Sequence, residues 1–445
     1  MPDKTVALNL NNPKIVRAWY MYDWANSVYT LVVTTAIFPI YYKAVLSSAG
    51  SDDITFLGVT LKNSVLYSYS LSFSFLIVAI ILPLLSGAAD YSGNKKAFMK
   101  VFAWTGSLGC IGLYFFDSVD MLGWGIFCSV IASIGYSGGL VFYDAFLPEI
   151  VTEDQLDKTS ARGYAMGYYG SVLLMVICLV IIMNPHSFGF TGSDKEAGLH
   201  ATRFGFVLVG LWWIGFSMIP FSLLPDNIHL KKRTGNIWLK GYQEILKVWK
   251  NLRHQYDLKK YLAAFFFFNM GVQTVMYMAS LFGQDVLHLE EGTLIQILII
   301  IQLVGAVGAW TFARVSARMG NRFSLALMIV IWIGVCFGAY FVANAFQFYL
   351  LAFVVGMIMG GIQALARATY SKLIPDDTLD HASYFSFYDV TYNLSLVFGT
   401  MSFGYINQVT GSMRYSALAL GVYFVIGLFI LLRVTSKSIM IPSQK

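Results

Sequence analysis

Apolar stretches long enough to cross a lipid bilayer recur along the whole chain, and this repetition limits its possible folds more than any other feature. A spanning helix needs roughly 20 mostly apolar residues. Twelve such runs can be read, from residues 15 to 42 near the start to 383 to 406 and 415 to 432 near the end. They are continuous and do not alternate every second residue, so they predict helices and not barrel strands. Composition agrees, with 57% hydrophobic and 12% charged residues, where a soluble domain carries about a quarter charged. The predicted fold class is therefore an all-α membrane protein. The polar stretch at residues 1 to 14 leads into a run too long for a signal-peptide core and without a small-residue cleavage site, so the first span is expected to stay.

Basic residues are retained on the cytoplasmic side of a membrane. With the N-terminus inside, all but five of the 30 Lys and Arg fall on inner connections, the exceptions being Lys43, Lys62, Lys195, Arg203 and Arg414. Both termini are thus expected in the cytoplasm, which requires an even number of spans. The net charge of +6 then reflects inner-face bias toward anionic lipid, and no nucleic-acid partner is expected. The longest charged stretch divides the chain into residues 1–224 and 261–445, two halves of six spans each, joined by a connector at 225–260. In it Trp238, Leu239, Tyr242, Ile245, Leu246, Trp249 and Leu252 share one helical face. That pattern predicts a helix lying in the headgroup plane; a linking helix packed under the bundle is the alternative.

Cys110, Cys128, Cys178 and Cys336 all fall inside spans, as small packing residues would. The six histidines are scattered over connections without ligand spacing, so neither a metal nor a cofactor is expected. Gly106, Gly109 and Gly112, and Gly356 and Gly360, lie within spans and predict close helix approach. Trp19, Tyr20, Trp24, Tyr41 and Tyr42 around the first span are read as interface anchors.

The connection after the second span runs from Gly87 through Asp90, Gly93, Lys95 and Lys96; that after the eighth runs from Arg314 to Gly320, Asn321 and Arg322. Both keep a Gly-Asn-basic turn, and the second lacks the carboxylate. Asp90, Gly93, Lys95 and Lys96 resemble the cytoplasmic loop signature of the major facilitator superfamily, although Ser86 stands where that signature opens with glycine. A narrower resemblance is carried by Tyr22-Asp23-Trp24-Ala25-Asn26-Ser27, by Phe142 to Glu149, by Arg162 to Tyr168, by Asn269 to Thr274 and by Gly360 to Arg367. These are similar to the autophagy-related vacuolar effluxer-like group, whose bacterial branch is called the unknown major facilitator family. Met270, Ala366 and Ala368 depart from its pattern. The resemblance implies two pseudo-symmetric six-helix halves in a bacterial inner membrane, acting as a monomeric transporter. Its eukaryotic members are associated with amino-acid efflux from vacuoles.

An ionisable side chain at membrane depth is costly unless it faces a partner or a wet cavity, so each is a functional candidate. Asp23 and Asn26 lie on one face of the first span. Asn269 and Gln273, four apart, repeat the idea in the seventh span, and Asp389 and Asn393 in the eleventh. These six are the substrate or coupling candidates. Interhelical packing is the competing reading for Asp23 and for Asn269 with Gln273. Asp144, Arg162 and Arg367, near the inner ends of the fourth, fifth and tenth spans, are gate candidates: Arg162 or Arg367 pairs with Asp144, Asp23 or Asp389 in one state and separates in the other. The cavity is expected between spans 1, 4, 7 and 10, with parts of 5 and 11. The activity expected is alternating-access transport of a small polar or zwitterionic solute, amino acids being one class, with proton coupling resting on Asp23 and Asp389. An amphipathic drug or lipid cargo is a rival, and a non-transporting receptor or scaffold another. No enzyme is expected: HExxH and P-loop motifs are both missing.

Overall fold

Inside a bilayer no water satisfies the backbone, so each apolar run must close its hydrogen bonds within itself. In the computed structural model, which describes residues 10–47, 53–56, 58–226, 237–375 and 378–440, every predicted span is helical. The first comprises α1 (Pro13–Asn26), a π-helical stretch (Tyr29–Ile37) and α2 (Phe38–Ser47). It is followed by α3 (Asn63–Ser92), α4 (Lys95–Gly112), α5 (Leu122–Ile150), α6 (Leu156–Met183) and α7 (Asp194–Leu223). The connector helix α8 (Ile237–His254) leads into α9 (Tyr256–Leu287), α10 (Glu291–Met319), α11 (Asn321–Phe341), α12 (Ala345–Leu373), α13 (His381–Thr410) and α14 (Met413–Leu431), with a short α15 (Lys437–Met440). One departure from all-α is a small antiparallel hairpin of β1 (Asp53–Phe56) and β2 (Val59–Lys62). Its β-branched residues Ile54, Thr55, Val59 and Thr60 favour strands, and a positive φ at Gly58 favours the turn between them.

Among the described residues eleven helical segments are long and apolar enough to cross a membrane. The remaining predicted span, α13, is 30 residues long but more polar, because Ser383, Ser386, Asp389, Asn393 and Ser395 are buried along it. It packs against α3, α5, α9 and α14, so its polar side faces protein, where such groups find partners.

Two expectations change. The first span is interrupted by a nine-residue π-helix with neither Pro nor Gly, stabilised where the Thr35 hydroxyl donates to the carbonyl of Thr30, five residues back, at 2.7 Å. Local sequence gives no period change to signal it. The connector helix is docked on α3, with Ile245, Val248 and Leu252 buried there while Leu239, Tyr242, Leu246 and Trp249 stay exposed. The predicted single apolar face thus splits in two, because α3 covers one stripe of it.

Close approach follows the glycines: Gly135 meets the Gly106 backbone between α5 and α4, and Gly360 meets Gly305 between α12 and α10. The four cysteines are free and buried. Trp19, Tyr41 and Tyr42 are buried core residues and not interface anchors: Trp19 stacks on Tyr143 with centroids 4.3 Å apart, and the Tyr41 hydroxyl donates to the Phe116 carbonyl.

Candidate functional site: an ion-paired gate and a polar chamber

Arg367 lies near the connector-side end of α12 and is only 1% exposed. A guanidinium at that depth needs anions, since an unpaired buried charge is strongly destabilising. It finds them on the other half of the chain. Its Nη1 is 2.8 Å from Asp144 Oδ1 on α5, and its Nη2 is 3.6 Å from Asp23 Oδ2 on α1. The Nε donates to Ser160 Oγ at 2.9 Å and Nη2 to the Ser160 carbonyl at 3.0 Å, both on α6. The rings of Trp19, Tyr143 and Tyr164 surround the guanidinium at 4.3–5.3 Å, a desolvated cation–π setting. Tyr143 also donates to Asp23 Oδ2 at 2.6 Å, which fixes that carboxylate.

The room for this cluster comes from Gly163. A Cβ there would sit 2.6 Å from Asp23 Oδ2, 2.9 Å from the Tyr143 hydroxyl and 3.0 Å from Arg367 Nη2. On either side α6 and α12 are in direct contact: Ser160 Oγ donates to the Ala364 carbonyl at 2.8 Å, and Tyr168 to Gln363 Oε1 at 2.7 Å.

Two further clusters join the halves at the same end. Asp90, at the end of α3, accepts from the backbone N–H groups of Ser383 at 2.6 Å and Ala382 at 3.2 Å, so a carboxylate sits on the positive end of α13. Lys95 lies 3.9 Å from Asp90 and pairs closely with Glu149. Lys96 pairs with Asp226 at 2.7 Å. Gly93 turns the chain between α3 and α4 at φ 68°, where glycine is unstrained. At the other loop, Asn321, Ser316 and Lys372 all reach Asp157 at the start of α6, at 2.8–2.9 Å. The carboxylate missing from the second loop is therefore supplied by the opposite half. The repeat carried the signal, since one loop kept three basic or amide groups without an acid.

Along α5 this cluster gives way to a polar chamber one to three turns further in, at Leu140, Ser137, Tyr136 and Ser133. Tyr29, Thr30 and Thr34 of the π-helical stretch, Phe75 of α3, Tyr277 of α9 and Asp389, Tyr392 and Asn393 of α13 complete it, around about 30 Å³. Tyr29 and Ser133 hydrogen-bond through their hydroxyls at 2.6 Å. Asp389 and Asn393 are 7% and 3% exposed, and Asp389 Oδ2 and Asn393 Oδ1 have no hydrogen-bond partner. Lys and Arg are absent from the described lining.

The candidates are thus redistributed. Asp23, Asp144 and Arg367 meet in one buried cluster. Arg162 does not join them; it projects from the outer face of α6 into a separate groove. Asp389 and Asn393 line the chamber. Asn26 is fully buried beside Ser27, outside the lining. Asn269 donates to Ser395 on α13 at 2.6 Å and accepts from Gln273 at 3.2 Å, so this pair ties α9 to α13. Spans 1 and 7 do face each other, through Tyr29 and Tyr277 one or two turns beyond the predicted residues. Spans 5 and 10 leave the chamber lining because their direct contact closes the connector side, and span 2 enters it through Phe75. Ser160, Tyr143 and Tyr164, which complete the cluster, carry no charge at depth; Tyr143 and Tyr164 lie within the motif segments 142–149 and 162–168, and Ser160 had no signal in the sequence.

Comparison with known proteins bears on this arrangement. The family described as "Vacuole effluxer Atg22 like" matches residues 11–440. The MFS-type transporter YxiO of Bacillus subtilis (strain 168) is 32% identical over 430 residues, covering 96% of each chain. Autophagy-related protein 22-1 of Emericella nidulans is 24% identical over 530 residues, covering 91% of this chain and 87% of that one. Among solved structures, the fold is similar to that of the major facilitator superfamily transporter FucP in the outward conformation (TM-score 0.70, 12% identity, 96% of this chain and 99% of that one). It is likewise similar to the human organic anion transporter MFSD10 (TM-score 0.72, 11% identity, 95% and 99%).

Proposed function

This chain belongs to the vacuole effluxer Atg22-like family of major facilitator transporters, and from that premise we propose that it exports a small polar solute bearing an amino group by alternating access between two six-helix halves. The observation that carries the reading is the unpaired Asp389 Oδ2 in the hydroxyl-lined chamber, closed on one side by Arg367 with Asp144 and Asp23. A chamber of about 30 Å³ is an order of magnitude below the roughly 300–1,000 Å³ of ligand pockets. A solute therefore enters only as the halves move apart, and the gate is the bistable element that movement must break.

Asp389 is the acidic group of the lining and forms no ion pair among the described residues. An ammonium on the solute neutralises it, and so does a proton. Because one carboxylate holds one or the other, inward proton movement exchanges for outward solute movement. The hydroxyls of Tyr136 and Ser137 in the same lining can take the solute's acceptor groups, which makes amino acids the first class to test. The carboxylate and hydroxyl groups of the lining favour a polar solute over an amphipathic one. With the basic residues inside, both termini and α8 face the cytoplasm, and the gate is the cytoplasmic one.

Purified protein is screened by thermal shift against amino acids, amines, sugars and nucleosides, since a ligand of the folded state alone raises its apparent stability. Stabilisation by an amine-bearing class, lost in Asp389→Asn, is expected. In liposomes the same variant loses exchange driven by a pH gradient. Stabilisation by sugars or nucleosides only, or gradient-driven exchange unchanged in Asp389→Asn, overturns the proposal.

A further inference from the structure

A further cavity lies apart from the chamber and from the Arg367 cluster. About 520 Å³ opens between the first turns of α6 and the last turns of α10, at the end of the bundle that carries the connector. Four cations line it, Lys158 and Arg162 from one half and Arg314 and Arg318 from the other. All four are exposed, and among the described residues none lies in an ion pair. Of the two carboxylates in the lining, Asp157 is already held by Lys372 at 2.8 Å, which leaves Asp154 against the four. The wall beneath is apolar and small-chained: Ala161 and Ala313 are 3% and 8% exposed. Trp310 stands at the rim, 55% exposed, with the Arg314 guanidinium 3.1 Å from its ring centroid.

From this we propose that the α6–α10 groove binds the headgroup of an anionic phospholipid. The depth is that of a membrane interface, where an exposed Trp is at home and helix ends leave the apolar layer. Among the described residues the excess of positive charge has no partner, and like charges from the two halves repel across the seam. A phosphodiester between them removes that repulsion, and arginines held flat on an aromatic ring are suited to bidentate phosphate binding. The alanine wall gives the first acyl carbons an apolar surface that a free phosphate ion would leave unused. The occupant is therefore a lipid, with a net negative headgroup.

Native mass spectrometry of the purified full-length protein with equimolar phosphatidylglycerol and phosphatidylcholine tests this. The wild type is expected to retain phosphatidylglycerol preferentially. Each neutralised groove cation lowers that retention about fivefold, so Arg162→Gln loses about fivefold and Arg314→Gln/Arg318→Gln about 25-fold. Lys250→Gln/Arg253→Gln, the same charge change on exposed positions of α8, leaves retention at the wild-type level. Arg162→Gln alters one exposed side chain and keeps the test decisive if the double variant fails to fold. Equal retention of the two lipids, undiminished retention in both groove variants, an equal loss in the α8 variant, or displacement of the lipid by millimolar inorganic phosphate each overturns the proposal.

Discussion

Replacing Arg367 by Ala leaves Asp144 and Asp23 buried at 5% and 4% exposure without their cation, and also removes both bonds to Ser160. Removing one partner of a buried ion pair destabilises by about 3–5 kcal/mol. Here the loss falls on the closed gate, because all four contacts cross between α12 and helices of the other half. At 1.4 kcal/mol per tenfold, the closed state is disfavoured by about 100- to 4,000-fold. Conformers of such a carrier differ by a few kcal/mol, so the population inverts. Asp144→Asn is milder: it keeps the shape of the side chain, and Arg367 still has Asp23 at 3.6 Å and Ser160. About 1–3 kcal/mol is expected there. Spin labels on Asp154→Cys and Met319→Cys report the connector-side separation by pulsed dipolar spectroscopy. Both positions are exposed, and the native cysteines are buried and so poorly labelled. The distance should lengthen in Arg367→Ala and move less in Asp144→Asn. A wild-type distance distribution in folded Arg367→Ala would refute the reasoning that these contacts hold the gate.

Gly163→Ala places a methyl group against Asp23, Tyr143 and Arg367; overpacking of about 1–3 kcal/mol should open the same label pair, and an unchanged distance would count against the crowding argument. Asp157→Ala strands the buried Lys372, leaving it only Asn321, so a loss of about 3–5 kcal/mol should appear as a lower thermal unfolding midpoint, and an unchanged midpoint would show that this cluster contributes little. Lys247, in the connector, has its pKa raised chiefly by its hydrogen bond to Asp380, with Glu244 adding to it. A raised folded pKa contributes stability that is complete below the unfolded value near 10.4 and fades as pH rises through the folded value. The stability difference between wild type and Lys247→Met, small because the lysine is half-exposed, should therefore shrink in the alkaline range; a difference growing with pH would contradict that sign.

Much of this molecule can be read without coordinates. Long apolar runs in a solvent that cannot hydrogen-bond have one way to satisfy their backbones, so the spans follow from composition and length. Charge at membrane depth is costly wherever it sits, so Asp23, Asp389 and Arg367 stood out as candidates before any partner was known. The loop around Asp90 and the Tyr22 to Ser27 segment carried the family.

Partnership could not be read that way. Arg367 and Asp144 lie 223 residues apart, and nothing in local periodicity says which of Asp144, Asp23 and Asp389 an arginine meets once twelve spans have packed. Only the packing sent Arg162 to an exposed groove and Arg367 to Asp144 and Asp23, turned Asn269 toward Ser395, and placed Asp389 in the chamber. It also decided that Asp157 of one half completes a loop of the other. Helix formation and membrane insertion depend on neighbours a few residues away, which the sequence carries in full. Ion pairing and cavity lining depend on the approach of distant helices, and that is settled by the tertiary structure.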